Sequence, residues 1–566
     1  MAPKRSASIT SAALPASDGS TVSAVFFPST PNSTGTPAFA LLRGTLRNGM
    51  RLPAVVNLFT HSTTTVHING GTMNSISSRL LLNLFLIVEL ALCAPLAVAA
   101  VSLSATLIDA KDATLIASDG TAFVVTSARV KVPQRRAAPD AAAIELAVVR
   151  VRRAGNVGGN AHVMLAGGPG DSGVRLALDM ARRGGAALSG FIDGDLIGID
   201  QRGIGGSTPS LLPPVRYGLP LEAQGSVATW LPIIEAATRT VAAEMRRRGI
   251  DLQAYNTEES ADDVAAVGQV LGYGQMTLWG RSYGTHLALA TARRHPAMVK
   301  RMILVSPLGP DHKWKLPSQV DLVMGRIGER AGAPRMTAQL REIVDRLGRA
   351  PVRVALPDPA TQKTVNVVIV PCDVQWVIAQ VIGDPRALAT LPAAVHEMHG
   401  GDFRRVAQMS LALRPRLGII SAMNHMMNLS SGESGDRKAR IKREAGSALL
   451  GDAINFPGRY LGPAWGARAL DGGFNEPVTG AVPTLILAGD LDARTPVENG
   501  REIAATLSAA KLVVVENAAH EFNVFGNQAI RALLGGFVRG EAIVDERVVL
   551  PPLRFEKVPA VPTEAP

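Results

Sequence analysis

The feature that most limits what this chain can fold into is a serine held between glycines, Gly280-Arg281-Ser282-Tyr283-Gly284. It stands between a short run of apolar and β-branched residues at 276–279 and an Ala/Leu-rich stretch that begins at Thr285. The first reads as a buried strand, the second as the start of an apolar helix. Passing from strand to helix in so few residues demands a sharp turn, where Cβ atoms beside the serine would strike neighbouring backbone. The turn exposes a hydroxyl above a helix N-terminus, whose dipole favours developing negative charge. The pattern alone is weak. With 55 glycines in 566 residues, chance supplies Gly-x-Ser-x-Gly ~0.3 times, so the surrounding order must decide.

That order is strand–helix alternation. Residues 123–132 and 144–151 alternate in polarity across a polar turn and predict an antiparallel hairpin. Buried-strand runs follow at 162–165, 196–199, 276–279, 302–305, 484–487 and 512–515, with helical stretches such as 260–271 and 283–294 between them. This predicts an α/β fold with a mostly parallel central sheet and helices on both faces. From 309 to 480 the alternation stops. Helical patterns at 320–330, 336–347, 385–398, 402–413 and 436–449, with one β excursion at 365–370, predict an inserted, mainly helical cap. The expected organisation is therefore core at 115–308, cap at 309–480, core again at 481–545 and a C-terminal tail at 546–566.

Before the core lie two segments of different character. Residues 1–72 are rich in Ser, Thr, Pro, Ala and Gly without a sustained period, and read as disordered or as an upstream stretch foreign to the working protein. Residues 73–99 then give a short n-region with Arg79, an apolar run at 80–92 and Ala97-Val98-Ala99 before Ala100. This is the order of a secretory signal peptide, and predicts export to the periplasm or medium. The alternative is an uncleaved membrane anchor over 80–101, which Asn83 and Glu89 weaken. After cleavage no stable membrane span is expected.

Composition narrows the function. The formal charge is +11, but aromatics make up 4% of the chain and arginine is scattered, so no nucleic-acid platform is expected. Of two cysteines, Cys93 lies in the leader; Cys372 alone builds neither a disulfide framework nor a Cys/His metal cluster. No metal and no cofactor is expected.

Two further motifs surround the serine in sequence. Ala166-Gly167-Gly168-Pro169-Gly170 follows the strand at 162–165. An oxyanion needs backbone N–H donors, one from Tyr283 and one from such a loop, and Gly167 or Gly168 can supply the second. Asp200-Gln201-Arg202-Gly203, continued by Gly205, Gly206 and Ser207, follows the strand at 196–199 and predicts a structural brace.

In this order and spacing, AGGPG, DQRGIGGS and GRSYGT resemble the serine-peptidase family of proline iminopeptidases and tripeptidyl aminopeptidases, within the α/β-hydrolase fold. The resemblance covers roughly 115–540 and is closest to the TAP-like branch. Ala166 departs from it where the family has His, which keeps the backbone donors and loses an imidazole. Chain order puts the acid and then the histidine after the nucleophile. The family pattern Gly-x-x-Asp-x-x-Thr-Pro falls on Gly489 to Pro496 and implies Asp492 as the acid, with Asp490 as competitor. His520 is the only histidine beyond His425. Ser282 as nucleophile, His520 as base and Asp492 as its partner then form acyl-enzyme chemistry. The resemblance further implies release of short N-terminal peptides or residues, with a cap carboxylate holding the free α-ammonium. Glu433, in Asn428-Leu429-Ser430-Ser431-Gly432-Glu433, is the candidate, although the cysteine common there is missing. The partner is a peptide or small acyl substrate. A carboxylesterase of the same fold is the alternative, since the triad serves both.

Overall fold

A computed structural model describes residues 103–558, apart from 139–141, 157, 213–218, 220–224, 359–360 and 418–420, together with four strands nearer the N-terminus. The chain divides into two compact units, Met1–Ala100 and Val101–Pro566. In the first, β1 (Ser11–Pro15), β2 (Thr21–Phe26), β3 (Phe39–Thr45) and β4 (Arg51–Asn57) form an antiparallel meander. The sequence reading expected no regular element there. Ser/Thr-rich composition masks the one strong signal, Asn48-Gly49 between β3 and β4, a dipeptide suited to tight hairpin turns. The leader expected at 73–99, and its alternative span over 80–101, lie outside the described residues.

The second unit holds a ten-stranded sheet. Its strands are β5 (Thr106–Ile116), β6 (Ala122–Pro133), β7 (Ala143–Arg153), β8 (Asn160–Leu165), β9 (Gly194–Ile199), β10 (Met276–Arg281), β11 (Val299–Val305), β14 (Thr484–Gly489), β15 (Ala510–Glu516) and β16 (Arg547–Val549). The order is β16-β15-β14-β11-β10-β8-β9-β7-β6-β5. From β9 to β16 every pairing is parallel, and β5, β6 and β7 extend the sheet antiparallel. The parallel strands read as unbroken apolar runs because both faces are covered. Successive residues go to opposite sides: Val163, Leu278 and Leu304 to one core, Met164, Trp279 and Ile303 to the other. Helices Thr257–Val270 and Tyr283–Arg294 cover the first face, and Gly173–Arg182 and Gln528–Arg539 the second.

Both sheet edges reach beyond the core limits of 115 and 545 read from the sequence. β5 is exposed along nearly all its length and carries Asp109, Lys111 and Asp112, so it lacks an apolar alternation; charge on an edge strand discourages further pairing. β16 has three residues and lies in the expected tail.

Between β11 and β14 stand the helices Pro317–Arg330, Met336–Arg349, Pro371–Val381, Pro385–His399, Arg404–Leu417, Ala422–Ser431 and Gly435–Glu444. The single β excursion read at 365–370 is half of a hairpin, β12 (Val352–Pro357) paired with β13 (Thr364–Ile369). The helix expected over 436–449 ends at Glu444, ahead of Gly446. The carboxyl ends of β8, β10, β14 and β15 lie together, and the loops that leave them carry the residues of interest.

Candidate active site

At the β10-to-helix turn Ser282 takes φ +53°, a conformation rare for a residue with a side chain. Its amide donates to the Val305 carbonyl at 2.9 Å. The flanking glycines are compulsory. A Cβ on Gly280 would sit 2.6 Å from the Gly284 oxygen, and one on Gly284 would run into the Leu165 carbonyl of β8. Thr285 Oγ1 donates to the Ser282 carbonyl at 2.6 Å and accepts the Leu308 amide at 2.7 Å, tying the turn to the loop after β11.

His520 Nε2 lies 3.0 Å from Ser282 Oγ, and its Nδ1 lies 2.8 Å from Asp492 Oδ2. A carboxylate can only accept, so Nδ1 carries the proton and Nε2 is left to accept from the serine. Asp492 is buried and accepts three further hydrogen bonds. These come from the amides of Arg494 (2.9 Å) and Thr495 (2.8 Å) and from Thr495 Oγ1 (2.6 Å). Burial opposes charge on Asp492, but His520 and Thr495 outweigh it and hold the carboxyl below its ordinary range. The structure thus brings Ser282, His520 and Asp492 into one hydrogen-bonded line. Asp490 instead pairs with Arg330 at 3.0 Å, and burial pushes its pKa up.

The glycine loop after β8 lies against the serine. A Cβ on Gly167 would be 3.4 Å from Ser282 Cβ, and Gly168 holds φ +104°. Tyr283 begins its helix, so its amide has no intrahelical carbonyl to serve. Gly167 and Tyr283 thus flank Ser282, and Gly168 follows in the same loop. Asn424 of the helix Ala422–Ser431 donates to the Pro169 carbonyl at 2.6 Å and holds this loop from above. Ala166, where the resemblance led to His, borders a void of about 10 Å³ with Gln201, Ser260 and Asp263.

Asp200 and Arg202 brace this arrangement. Asp200 accepts the amides of Gly206 (2.8 Å) and Val174 (3.2 Å), and Arg202, fully buried, clasps Asp263 through two 2.8 Å contacts.

One element escaped the sequence reading. Tyr283 Oη, Thr257 Oγ1, Ser431 Oγ, His286 and the Gly309 carbonyl form a buried chain, with successive separations of 3.0, 3.3, 3.1 and 3.0 Å. Gly309 can only accept, so the neutral His286 ring donates from Nδ1 and leaves Nε2 as an acceptor facing Ser431, whose hydroxyl also has the Met427 carbonyl at 2.8 Å. Burial lowers the His286 pKa to about 3, keeping the ring neutral. The only sequence signal was one histidine in an Ala/Leu helix.

Glu433 lines a separate hollow of about 550 Å³, with Asp311, His312, Asp436, Glu476 and Glu502 around it. Its carboxylate already meets Arg459 at 2.9 Å. Among the described residues no His/Cys/Asp/Glu group could hold a metal, and no helix is long and apolar enough to cross a membrane. Burial raises the Cys372 thiol to about 12, far from a reactive thiolate.

Comparison with known proteins agrees with the architecture. Residues 163–322 match the family described as alpha/beta hydrolase fold, and 464–543 the family described as TAP-like protein. The tripeptidyl aminopeptidase of Streptomyces lividans is 29% identical over 198 residues, 33% of this chain and 36% of that protein. Serine protease Hip1 of Mycobacterium tuberculosis is 28% identical over 198 residues, 32% of this chain and 36% of its own. The match thus spans only about a third of the length of these relatives. A thermophilic esterase from Thermogutta terrifontis superposes with a TM-score of 0.28 at 18% identity, over 69% of this chain and 91% of that one. The chain has the α/β-hydrolase fold, and its residues 464–543 are similar to the TAP-like proteins.

Proposed function

We propose that the protein is an exported serine hydrolase, an aminopeptidase that releases short N-terminal peptides or residues through an acyl-enzyme on Ser282. The observation that carries this is the unbroken line Asp492–His520–Ser282, at 2.8 and 3.0 Å, with the glycine loop packed against the serine at Gly167. His520 takes the serine proton as Oγ attacks the acyl carbon. Asp492 keeps the imidazole in the right tautomer and stabilises the imidazolium. The loop amides receive the oxyanion, the leaving amine takes the proton from His520, and water then reverses these steps.

The peptidase assignment draws on the matched relatives. Glu433 is the carboxylate offered for a free α-ammonium, although Arg459 already pairs with it. Export rests on the leader at 73–99. We further propose 309–480 as a cap inserted into the sheet-bearing core, and as the element that chooses the acyl group.

A panel of chromogenic tripeptide amides, each with free and acetylated N-terminus, and of short acyl esters tests the assignment. The aminopeptidase reading requires that acetylation abolish amide turnover. Turnover of esters alone, indifferent to the amine, would instead identify a carboxylesterase.

A further inference from the structure

The loop after β8 has little of its own to hold it in place. Three of the four residues from Gly167 to Gly170 are glycines. Gly168 and Gly170 hold φ +104° and +122°, and a Cβ on Gly170 would meet nothing within 4 Å. A stretch so poor in side chains has many backbone conformations open to it, so its position must be imposed by its neighbours. On one side Gly167 lies against Ser282. Among the described residues a single side chain hydrogen-bonds this stretch: Asn424, whose Nδ2 donates to the Pro169 carbonyl at 2.6 Å.

Asn424 is itself oriented. The Pro169 carbonyl can only accept, so the amide nitrogen of Asn424 faces it and Oδ1 is turned away. Asn428, one turn further along the helix Ala422–Ser431, donates Nδ2 to that oxygen at 2.9 Å. This second amide is costly. Asn428 is 6% exposed, on a helix that also buries Met423, Met426 and Met427, and its own Oδ1 has no partner among the described residues. A buried acceptor left unmet destabilises a fold, and an apolar side chain of similar shape would pack there without that loss. Packing therefore does not account for Asn428. Its bond to Asn424 does, because it fixes which end of the Asn424 amide meets the loop.

The same helix is fastened on the other side of the serine. Ser431 Oγ lies 3.1 Å from His286 Nε2 and 3.3 Å from Thr257 Oγ1, and Met427 Sδ lies 3.4 Å from Tyr283 Oη. Its start is held as well: the Ala422 amide donates to the Leu211 carbonyl at 3.2 Å, and Ser421 Oγ accepts the Asn424 amide at 3.3 Å. One helix of 10 residues thus joins the glycine loop to the residue that follows Ser282.

We propose that Asn424, oriented by Asn428, is a positioning residue that sets the distance between the glycine loop and the Tyr283 amide, and so the fit of the oxyanion between them. The inference rests on the acyl-enzyme reading above, in which that loop supplies an oxyanion donor. To that reading it adds a dependence of rate, rather than of substrate binding, on the helix Ala422–Ser431.

The test uses the full chain with a tripeptide p-nitroanilide and with p-nitrophenyl butyrate, so that peptidase and esterase are both scored. Asn424→Asp keeps the size and the acceptor for Asn428 but turns an oxygen against the Pro169 carbonyl. Asn424→Leu removes both bonds, and Asn428→Leu removes the orienting donor together with the unmet acceptor. Rates are counted per serine labelled to completion by a neutral fluorophosphonate, so protein that fails to fold does not enter. A displaced oxyanion donor predicts kcat lower by about 10- to 100-fold in both Asn424 variants, with KM within about 2-fold of wild type. Propylboronic acid, whose boron becomes tetrahedral on Ser282 Oγ, should lose affinity by a similar factor. Asn428→Leu should be slower than wild type by about 3-fold or more while its urea midpoint holds or rises, a pairing that a merely structural amide would not give. Unchanged kcat in the Asn424 variants overturns the proposal, and so does a loss carried by KM with boronate affinity intact. If Ser282 of the wild type takes no label and neither substrate turns over, the acyl-enzyme reading has failed and this inference with it. A labelled, active wild type with indifferent Asn424 variants defeats the inference alone.

Discussion

Acid should loosen this protein earlier than its carboxylates would, because His286 is buried as a neutral ring. Its pKa falls from 6.5 to about 3, through burial first and then through Lys313, His312 and Lys315, with the Gly309 carbonyl opposing. Above pH 6.5 the ring is neutral folded and unfolded, and contributes no pH dependence. Below it the unfolded chain takes up a proton that the folded state refuses, so stability falls until the folded pKa near 3. At about 1.4 kcal/mol per pH unit, descent to about pH 5 costs ~2 kcal/mol. His425, lowered to about 4 by burial and Lys313 but retaining some accessible surface, adds a smaller loss of the same sign. Urea unfolding at about pH 7 and about pH 5 measures this. All 5 tryptophans lie between Trp230 and Trp465, so their fluorescence reports the hydrolase unit alone. His286→Gln should lower stability at both pH values by breaking the chain to Ser431, yet remove ~2 kcal/mol of the pH dependence. An equal acid-induced loss in wild type and variant would refute the reasoning.

Four other outcomes are expected. Ser282→Ala should abolish fluorophosphonate labelling and lower kcat by ~10⁴-fold or more; full-rate turnover in the variant would discard the proposed nucleophile. Thr495→Val removes the 2.6 Å hydroxyl bond to Asp492, and should lower kcat ~10-fold with KM nearly unchanged. Gly284→Ala drives a methyl into the Leu165 carbonyl, and should cost ~3 kcal/mol or more in urea unfolding. Arg202→Met leaves Asp263 paired through Arg136 alone, and a loss of ~3–5 kcal/mol is expected in the same assay.

How much of this was legible depends on how local each constraint is. The glycines at 167, 168, 280 and 284 could be read because backbone approaches within a few residues dictate them. Ser282 and His520 were legible through motif and chain order. Asp492 needed the family pattern, and Thr495 shows the physical content of that pattern: its amide and hydroxyl fix the carboxylate. Glu433 was less legible, because its partner Arg459 lies 26 residues away. The chain from Tyr283 to Gly309 was invisible, since Thr257, Ser431 and His286 meet only in three dimensions. β5 was missed because an exposed edge strand buries no face and leaves no alternation.

The bond from Asn424 to the Pro169 carbonyl has a bearing on how such an enzyme can be rebuilt. A cap that touches only substrate could be exchanged like a cassette, its replacement judged by what it recognises. Here the segment 422–431 also holds the glycine loop beside Ser282, and Ser431 continues the same attachment into the helix that follows Ser282. A chimera with a foreign cap would therefore lose rate as well as selectivity. Recovering it would mean transplanting 424 and 431 together with whatever new specificity the graft was meant to bring.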